Sequence, residues 1–186
     1  MREKIVLLDR DGVINKFPGK GNYVLSWQEF SFLPGVFGAL TKLKKAGYKV
    51  FIVSNQACVS KGFISKESLL GITDNMLKEL KAQGILIDGV YYCIHQDSDN
   101  CPFRKPNPGL VNQIFKDLGL EDSAKEGVFF IGDSIRDIQT AKNSGVKSLL
   151  VLSGQEDLAN KSNWALQPDS IAEDLGQAVE YILNYA

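Results

Sequence analysis

Three apolar runs in this chain each break off into a small group of polar residues. Ile5-Val6-Leu7-Leu8 is followed by Asp9-Arg10-Asp11-Gly12. Val50-Phe51-Ile52-Val53 stops at Ser54-Asn55, and Val128-Phe129-Phe130-Ile131 stops at Gly132-Asp133-Ser134, with Asp137 just beyond. Short continuous runs of this kind read as strands buried on both faces of a parallel sheet. Polar groups collected at the same kind of strand end mark the edge where open α/β sheets bind ligands. Taken singly, Asp11-Gly12 is an ordinary turn and Asp133-Ser134 an ordinary helix cap. The constraint lies in the repetition, because solvent-facing turns need not recur after successive buried strands.

The segments between these strands fit the same architecture. Pro34-Gly35 opens a helix reaching residue 46, with Val36, Leu40 and Leu43 as its apolar stripe. A strand over 48–53 comes next, then a helix capped by Ser65 that carries Leu69, Ile72, Met76, Leu77 and Leu80 inward. Further strands are expected over 90–94, 128–131 and 148–152, with helices over 109–118, 135–143 and 171–185. The polar stretch 154–170 reads as loop with a short helical turn. Strictly alternating strands and helices predict an α/β fold, a parallel sheet lying between helices. At 186 residues the chain is expected to form one domain over 1–186. Residues 15–32 have no helical period and contain Pro18, Gly19, Gly21, Tyr23 and Trp27. A connection of that length, directly behind the carboxylate pair, is expected to fold over a ligand.

Composition removes several classes of function. With 21 basic and 22 acidic side chains the net charge is -1, which supplies no field for nucleic acid or an anionic membrane. The first apolar run is too short to span a bilayer, and Asp9 and Asp11 follow it without a cleavage-like segment. Cys58, Cys93 and Cys101 are an odd set in a chain large enough to need no disulfide, as in a reducing compartment. The expectation is a cytoplasmic monomer with no membrane or nucleic-acid partner.

The strand-end residues suit a phosphate monoester. Such a substrate needs an in-line nucleophile, a divalent ion against anionic repulsion, and an acid for the leaving alcohol. Asp9, the first side chain past its strand, is the candidate nucleophile, giving an aspartyl-phosphate. Asp11 is placed to protonate the leaving oxygen and then to activate water. Asp133, with the Asp9 carboxylate and the Asp11 backbone carbonyl, offers the hard oxygen donors of a Mg²⁺ site. Asp137 is expected near that ion, as a ligand, through water, or orienting Lys105. Ser54, Asn55 and Lys105 are candidates for holding the phosphoryl oxygens or the carboxylates around them.

Asp9-Arg10-Asp11-Gly12-Val13, Ser54-Asn55-Gln56, Arg104-Lys105-Pro106 and Gly132-Asp133-Ser134-Ile135-Arg136-Asp137 together resemble the four motifs of haloacid-dehalogenase-type phosphatases. Tyr23-Val24, the stretch Phe30-Ser31-Phe32-Leu33-Pro34-Gly35-Val36, Lys61-Gly62 and Asn107-Pro108-Gly109 are most similar to the branch acting on D-glycero-D-manno-heptose 1,7-bisphosphate. The resemblance implies a Rossmannoid fold without a large cap domain, with active-site loops near 12–33, 55–65 and 95–108. It implies Asp9 as nucleophile, Asp11 as general acid/base, Ser54 and Lys105 on the phosphoryl group, and Asp133 on Mg²⁺. Asn55 and Arg104 match residues that contact substrate or orient loops. The implied substrate is a phosphorylated sugar. Histidinol-phosphate phosphatases share nearly the same motifs and are the alternative; a polynucleotide phosphatase and a non-catalytic phosphate-binding module stand further off.

Cys93, His95 and Cys101 resemble a zinc loop of these enzymes, in which Cys-x-His is followed by Cys-x-Cys. Position 103 is Phe here, so three ligands remain where structural zinc ordinarily has four. Either another group completes a weak site, with Asp97 and Asp99 as the nearby acids, or Phe103 packs over a loop without metal.

Overall fold

The computed structural model describes residues 3–185; Met1, Arg2 and Ala186, the ends of the expected 1–186 unit, lie outside the described residues. Six strands, β1 (Ile5–Leu8), β2 (Lys49–Asn55), β3 (Gly89–Cys93), β4 (Val128–Gly132), β5 (Lys147–Val151) and β6 (Ser170–Ala172), pair in the order β3-β2-β1-β4-β5-β6. Every pair is parallel. Five helices connect or flank them: α1 (Val36–Lys45), α2 (Lys66–Ala82), α3 (Gly109–Asp117), α4 (Ile135–Ser144) and α5 (Leu175–Tyr185).

The apolar strands alternate between two cores. Val6 and Leu8 of β1, Val50 and Ile52 of β2, and Phe129 and Ile131 of β4 belong to a cluster shared with α1, α2 and α5. Ile5 and Leu7, Phe51 and Val53, and Val128 and Phe130 face the opposite cluster, with Leu110, Val111, Ile114 and Phe115 of α3. Successive strand residues point to opposite faces, so a sheet covered on both sides requires uninterrupted apolar runs.

The chain builds outward from β1 to β3 and then returns to lay β4 against the free side of β1. Ligands in open α/β sheets bind at such a reversal. Leu8 is in register with Ile52 on one side and Ile131 on the other. Asp9, Ser54 and Asp133 therefore emerge within two residues of that level, on one edge of the sheet.

Two elements differ from the sequence reading by more than a single residue at an end. Ser54 and Asn55 lie inside β2, which continues to Asn55 through pairing with β3. The last apolar segment is also divided: Ser170–Ala172 is a sixth strand, and the helix begins only at Leu175. Asp169 makes this possible, because its carboxylate accepts the Ser148 amide at 2.8 Å and tacks the segment onto β5. Three residues of strand beside a strong helical period carry too little pattern to be seen.

The excursion over 15–32 is tied at its base. Asn15 and Phe32 form an antiparallel bridge, and Trp27 stacks on Phe30 with ring centroids 5.0 Å apart. Residues 17–23 are thereby carried to the mouth of the sheet edge. Among the described residues no helix is long and apolar enough to cross a membrane.

Candidate active site

The sheet edge opens into a cleft of about 330 Å³ whose lining includes Asp9, Asp11, Ser54, Asn55, Arg104, Lys105, Asp133 and Asp137. All three loops expected from the sequence contribute, through residues 17–23, Ala57 and Lys61, and Asp97 with Arg104. Gln155 lines the cleft from a fourth segment.

Lys105 is the centre of the electrostatics. Its side chain is 2% exposed, and its ammonium reaches three acceptors. These are the Val53 carbonyl at 3.0 Å, Asp137 at 2.6 Å and Asp9 at 3.0 Å. Burial pulls this lysine down, but Asp137 and Asp9 outweigh it and hold the group above the ordinary lysine value. Asn55 positions the same residue: its side-chain oxygen accepts the Lys105 amide at 3.0 Å and its amide nitrogen donates to the Lys105 carbonyl at 3.0 Å.

Carboxylate oxygens of Asp9, Asp133 and Asp137 come within 4.8 Å of one another. Burial raises Asp9 to about 6 despite the opposing pull of Lys105. Burial, with Asp137 and Asp9 close by, pushes Asp133 well above its ordinary value. Three carboxyl groups share one ammonium here, so ionising all of them would leave an excess of two negative charges for a bound cation to offset. A divalent cation with a preference for hard oxygen donors fits both the excess charge and the ligand type, as Mg²⁺ does. Asp137 is already engaged at both oxygens, by Lys105 on one and by the amide and hydroxyl of Ser134 on the other. Of the roles expected for it, orienting Lys105 is the one this geometry displays.

Asp11 stands in a different environment. Arg10 Nη2 lies 3.0 Å from both of its oxygens, Asn15 Nδ2 donates to one at 2.8 Å, and Gln56 Nε2 to the other at 3.0 Å. Burial raises this acid, but the Arg10 guanidinium and the amide donors outweigh it and hold the carboxyl below its usual range. Ser54 is buried beside it and accepts a hydrogen bond from Gln56 at 3.1 Å.

The segment after β5, whose residues from 154 on read in the sequence only as loop, closes around Asp133. The Gln155 amide donates to the Asp133 carboxylate at 2.8 Å, the Glu156 amide donates to its carbonyl at 3.1 Å, and Ser153 Oγ donates to the Gly12 carbonyl at 2.7 Å. Two glycines admit this packing. A Cβ on Gly12, which has φ +82°, would fall 2.1 Å from Asp133 Oδ2, and one on Gly154 would fall 2.0 Å from the same atom. A signal was present, since Gly154 comes after a buried strand at the ligand-binding edge. Gly154→Ala must displace Asp133 and is expected to raise the Mg²⁺ concentration for half-maximal turnover roughly tenfold. Gly38→Ala, where the added methyl meets open space, should leave that concentration unchanged.

Arg104 forks onto Asp97 through Nε at 2.8 Å and Nη2 at 3.2 Å, and Nη1 donates to the His95 carbonyl at 2.8 Å. It orients the 95–108 loop while lining the cleft. Cys93, His95 and Cys101 do converge: Cys93 Sγ is 3.8 Å from Cys101 Sγ and 3.8 Å from His95 Nδ1. Phe103 is 42% exposed. Three donors do not make the closed four-ligand set of structural zinc. The loop's shape is already accounted for by the Arg104 fork, the Asn107 side chain on the Cys101 carbonyl at 3.0 Å, and the Gln96 amide on Asp99 at 2.9 Å.

Comparison with known proteins agrees with this geometry. A family model described as HAD-hydrolase-like matches residues 102–178. The D-glycero-beta-D-manno-heptose-1,7-bisphosphate 7-phosphatase of Pasteurella multocida is 33% identical over 181 residues, which cover 92% of this chain and 94% of that protein. The corresponding enzyme of Chlorobaculum tepidum is 32% identical, over 97% of this chain and 95% of its own length. The crystal structure of the heptose bisphosphate phosphatase of B. bronchiseptica, complexed with magnesium and phosphate, superposes with a TM-score of 0.89 at 32% identity. The match covers 98% of this chain and 99% of that one. An acid cluster suited to a divalent cation at the switch point of a parallel sheet and relatives of one kind that match over nearly their whole length lead to the same place: the chain belongs to the HAD-like phosphatases, in the family of the heptose-1,7-bisphosphate 7-phosphatases.

Proposed function

We propose that this chain removes the phosphate at carbon 7 of D-glycero-D-manno-heptose 1,7-bisphosphate through a phosphorylated Asp9. The observation carrying this reading is the pairing of Asp9 with Lys105 at 3.0 Å beside a cluster of three acids suited to a divalent cation. Bound Mg²⁺ supplies charge that offsets the carboxylates and the incoming phosphate, held by Asp9, Asp133 and the Asp11 carbonyl.

The chain's own groups do the rest. Asp9 attacks phosphorus as the bond to the sugar oxygen breaks; Asp11, ionised in the free site, takes up a proton when the anionic substrate binds beside it and delivers that proton to the departing oxygen. Lys105 and Ser54 meet the charge on the transferring group. Asp11, now ionised, takes a proton from water as the water attacks the phosphorus of the aspartyl-phosphate, releasing inorganic phosphate and regenerating Asp9. Asn55, Asp137 and Arg104 keep Lys105 and its loop in place. The proposal is of a single catalytic domain acting on a phosphorylated sugar, as a cytoplasmic monomer.

A matched turnover assay tests the substrate. Both anomers of the heptose 1,7-bisphosphate, and histidinol phosphate, are compared with and without Mg²⁺. The expected result is Mg²⁺-dependent release of one phosphate per heptose bisphosphate, at a kcat/KM well above that for histidinol phosphate. Faster hydrolysis of histidinol phosphate would overturn the assignment.

A further inference from the structure

Arg10 lies between the two catalytic aspartates in sequence, yet its side chain turns away from the cleft and is 1% exposed. Its guanidinium sits 5.9 Å from the centre of the Tyr92 ring, and Asp11 is its acidic partner. The Tyr92 hydroxyl is a further partner of the guanidinium. Burying a guanidinium costs several kcal/mol unless its donors are satisfied, and hydrophobic residues of similar volume usually stabilise a core as well or better. A buried arginine is therefore a poor choice for packing alone.

What Arg10 does accomplish is geometric. One nitrogen shared between both Asp11 oxygens, with Asn15 on one and Gln56 on the other, fixes the plane of that carboxyl group. The three supporting side chains are each at most 1% exposed, while Asp11 retains 20% exposure and lines the cleft. The supports stand behind Asp11 and its open face meets the substrate. We propose that Arg10 is a positioning residue for the general acid/base, aiming Asp11 at the leaving-group oxygen from a buried seat. The inference rests on the role given to Asp11 above.

The proton that Asp11 gives to the departing oxygen matters for an alkoxide and hardly at all for a nitrophenolate, which leaves unaided. Misaiming Asp11 must therefore harm alkyl phosphates selectively. Arg10→Lys is expected to lower kcat/KM for an alkyl phosphate by roughly tenfold more than for p-nitrophenyl phosphate, a part of the factor that general acid catalysis supplies. Inhibition by inorganic phosphate should not change. In an Asp11→Asn background the same substitution should add no further loss, because its target is gone. Gln56→Leu leaves the ion pair intact and should show the same leaving-group bias in weaker form, which serves if Arg10→Lys folds poorly. Equal losses on both esters, or losses that add to those of Asp11→Asn, would mark Arg10 as structural and overturn the proposal. Full alkyl phosphate turnover by Asp11→Asn alone would instead remove the role of Asp11.

Discussion

Asp9→Asn is expected to abolish turnover, by roughly four orders of magnitude or more, the scale seen when a covalent nucleophile is removed from an otherwise intact site. An amide cannot form the acyl phosphate. The substitution should not unfold the protein. Asp9 is held at the sheet edge by backbone, with its own amide donating to Ile131 at 2.9 Å, and asparagine is nearly its isostere. It also removes one of three clustered negative charges, so thermal stability without Mg²⁺ should be unchanged or higher. Turnover within tenfold of the parent would show that Asp9 is not the nucleophile.

Lys105→Met should damage stability and rate together. The lysine is the cation among Asp9, Asp133 and Asp137, and its partner Asp137 is 1% exposed. Breaking a buried ion pair from one side costs about 3–5 kcal/mol, because the remaining charge is left without compensation. Removing one preorganised positive donor from a charge-stabilising site typically costs about 10²–10³ in rate. The two effects can be separated by thermal melts. In the absence of metal the variant should melt well below the parent, and added Mg²⁺ should narrow the gap, since a cation that binds the folded site restores part of the missing charge. An unchanged melting temperature would mean that the acid cluster does not depend on Lys105.

Much of this site is legible in the amino-acid sequence because its parts sit at strand ends. Buried parallel strands declare themselves by composition, and the residues just past them are held at one sheet edge. Asp9, Ser54 and Asp133 were legible for that reason. Lys105 was legible only through the resemblance of Arg104-Lys105-Pro106, since its loop has no periodic pattern. The sequence could not show that Asn55 grips the backbone of Lys105, because an asparagine's partners are decided by tertiary contact. It was likewise silent on Arg10, whose burial behind Asp11 reverses the usual expectation that arginines face solvent. The 153–156 wrap around Asp133 was missed because backbone amides leave no trace in side-chain identity. Cys93, His95 and Cys101 do gather, and position 103 departs from the pattern, yet the ties that shape that loop lie in Arg104, Asn107 and Gln96.

The covalent intermediate is the centre of the mechanism, and chemical trapping reaches it directly. Enzyme mixed with heptose bisphosphate and Mg²⁺ is quenched with borohydride, which reduces an aspartyl-phosphate to homoserine, and the peptide spanning residues 5–16 is sequenced by mass spectrometry. Homoserine at position 9, absent without substrate, is the predicted result. Phosphate release with an unmodified Asp9, or homoserine at another aspartate, would contradict it.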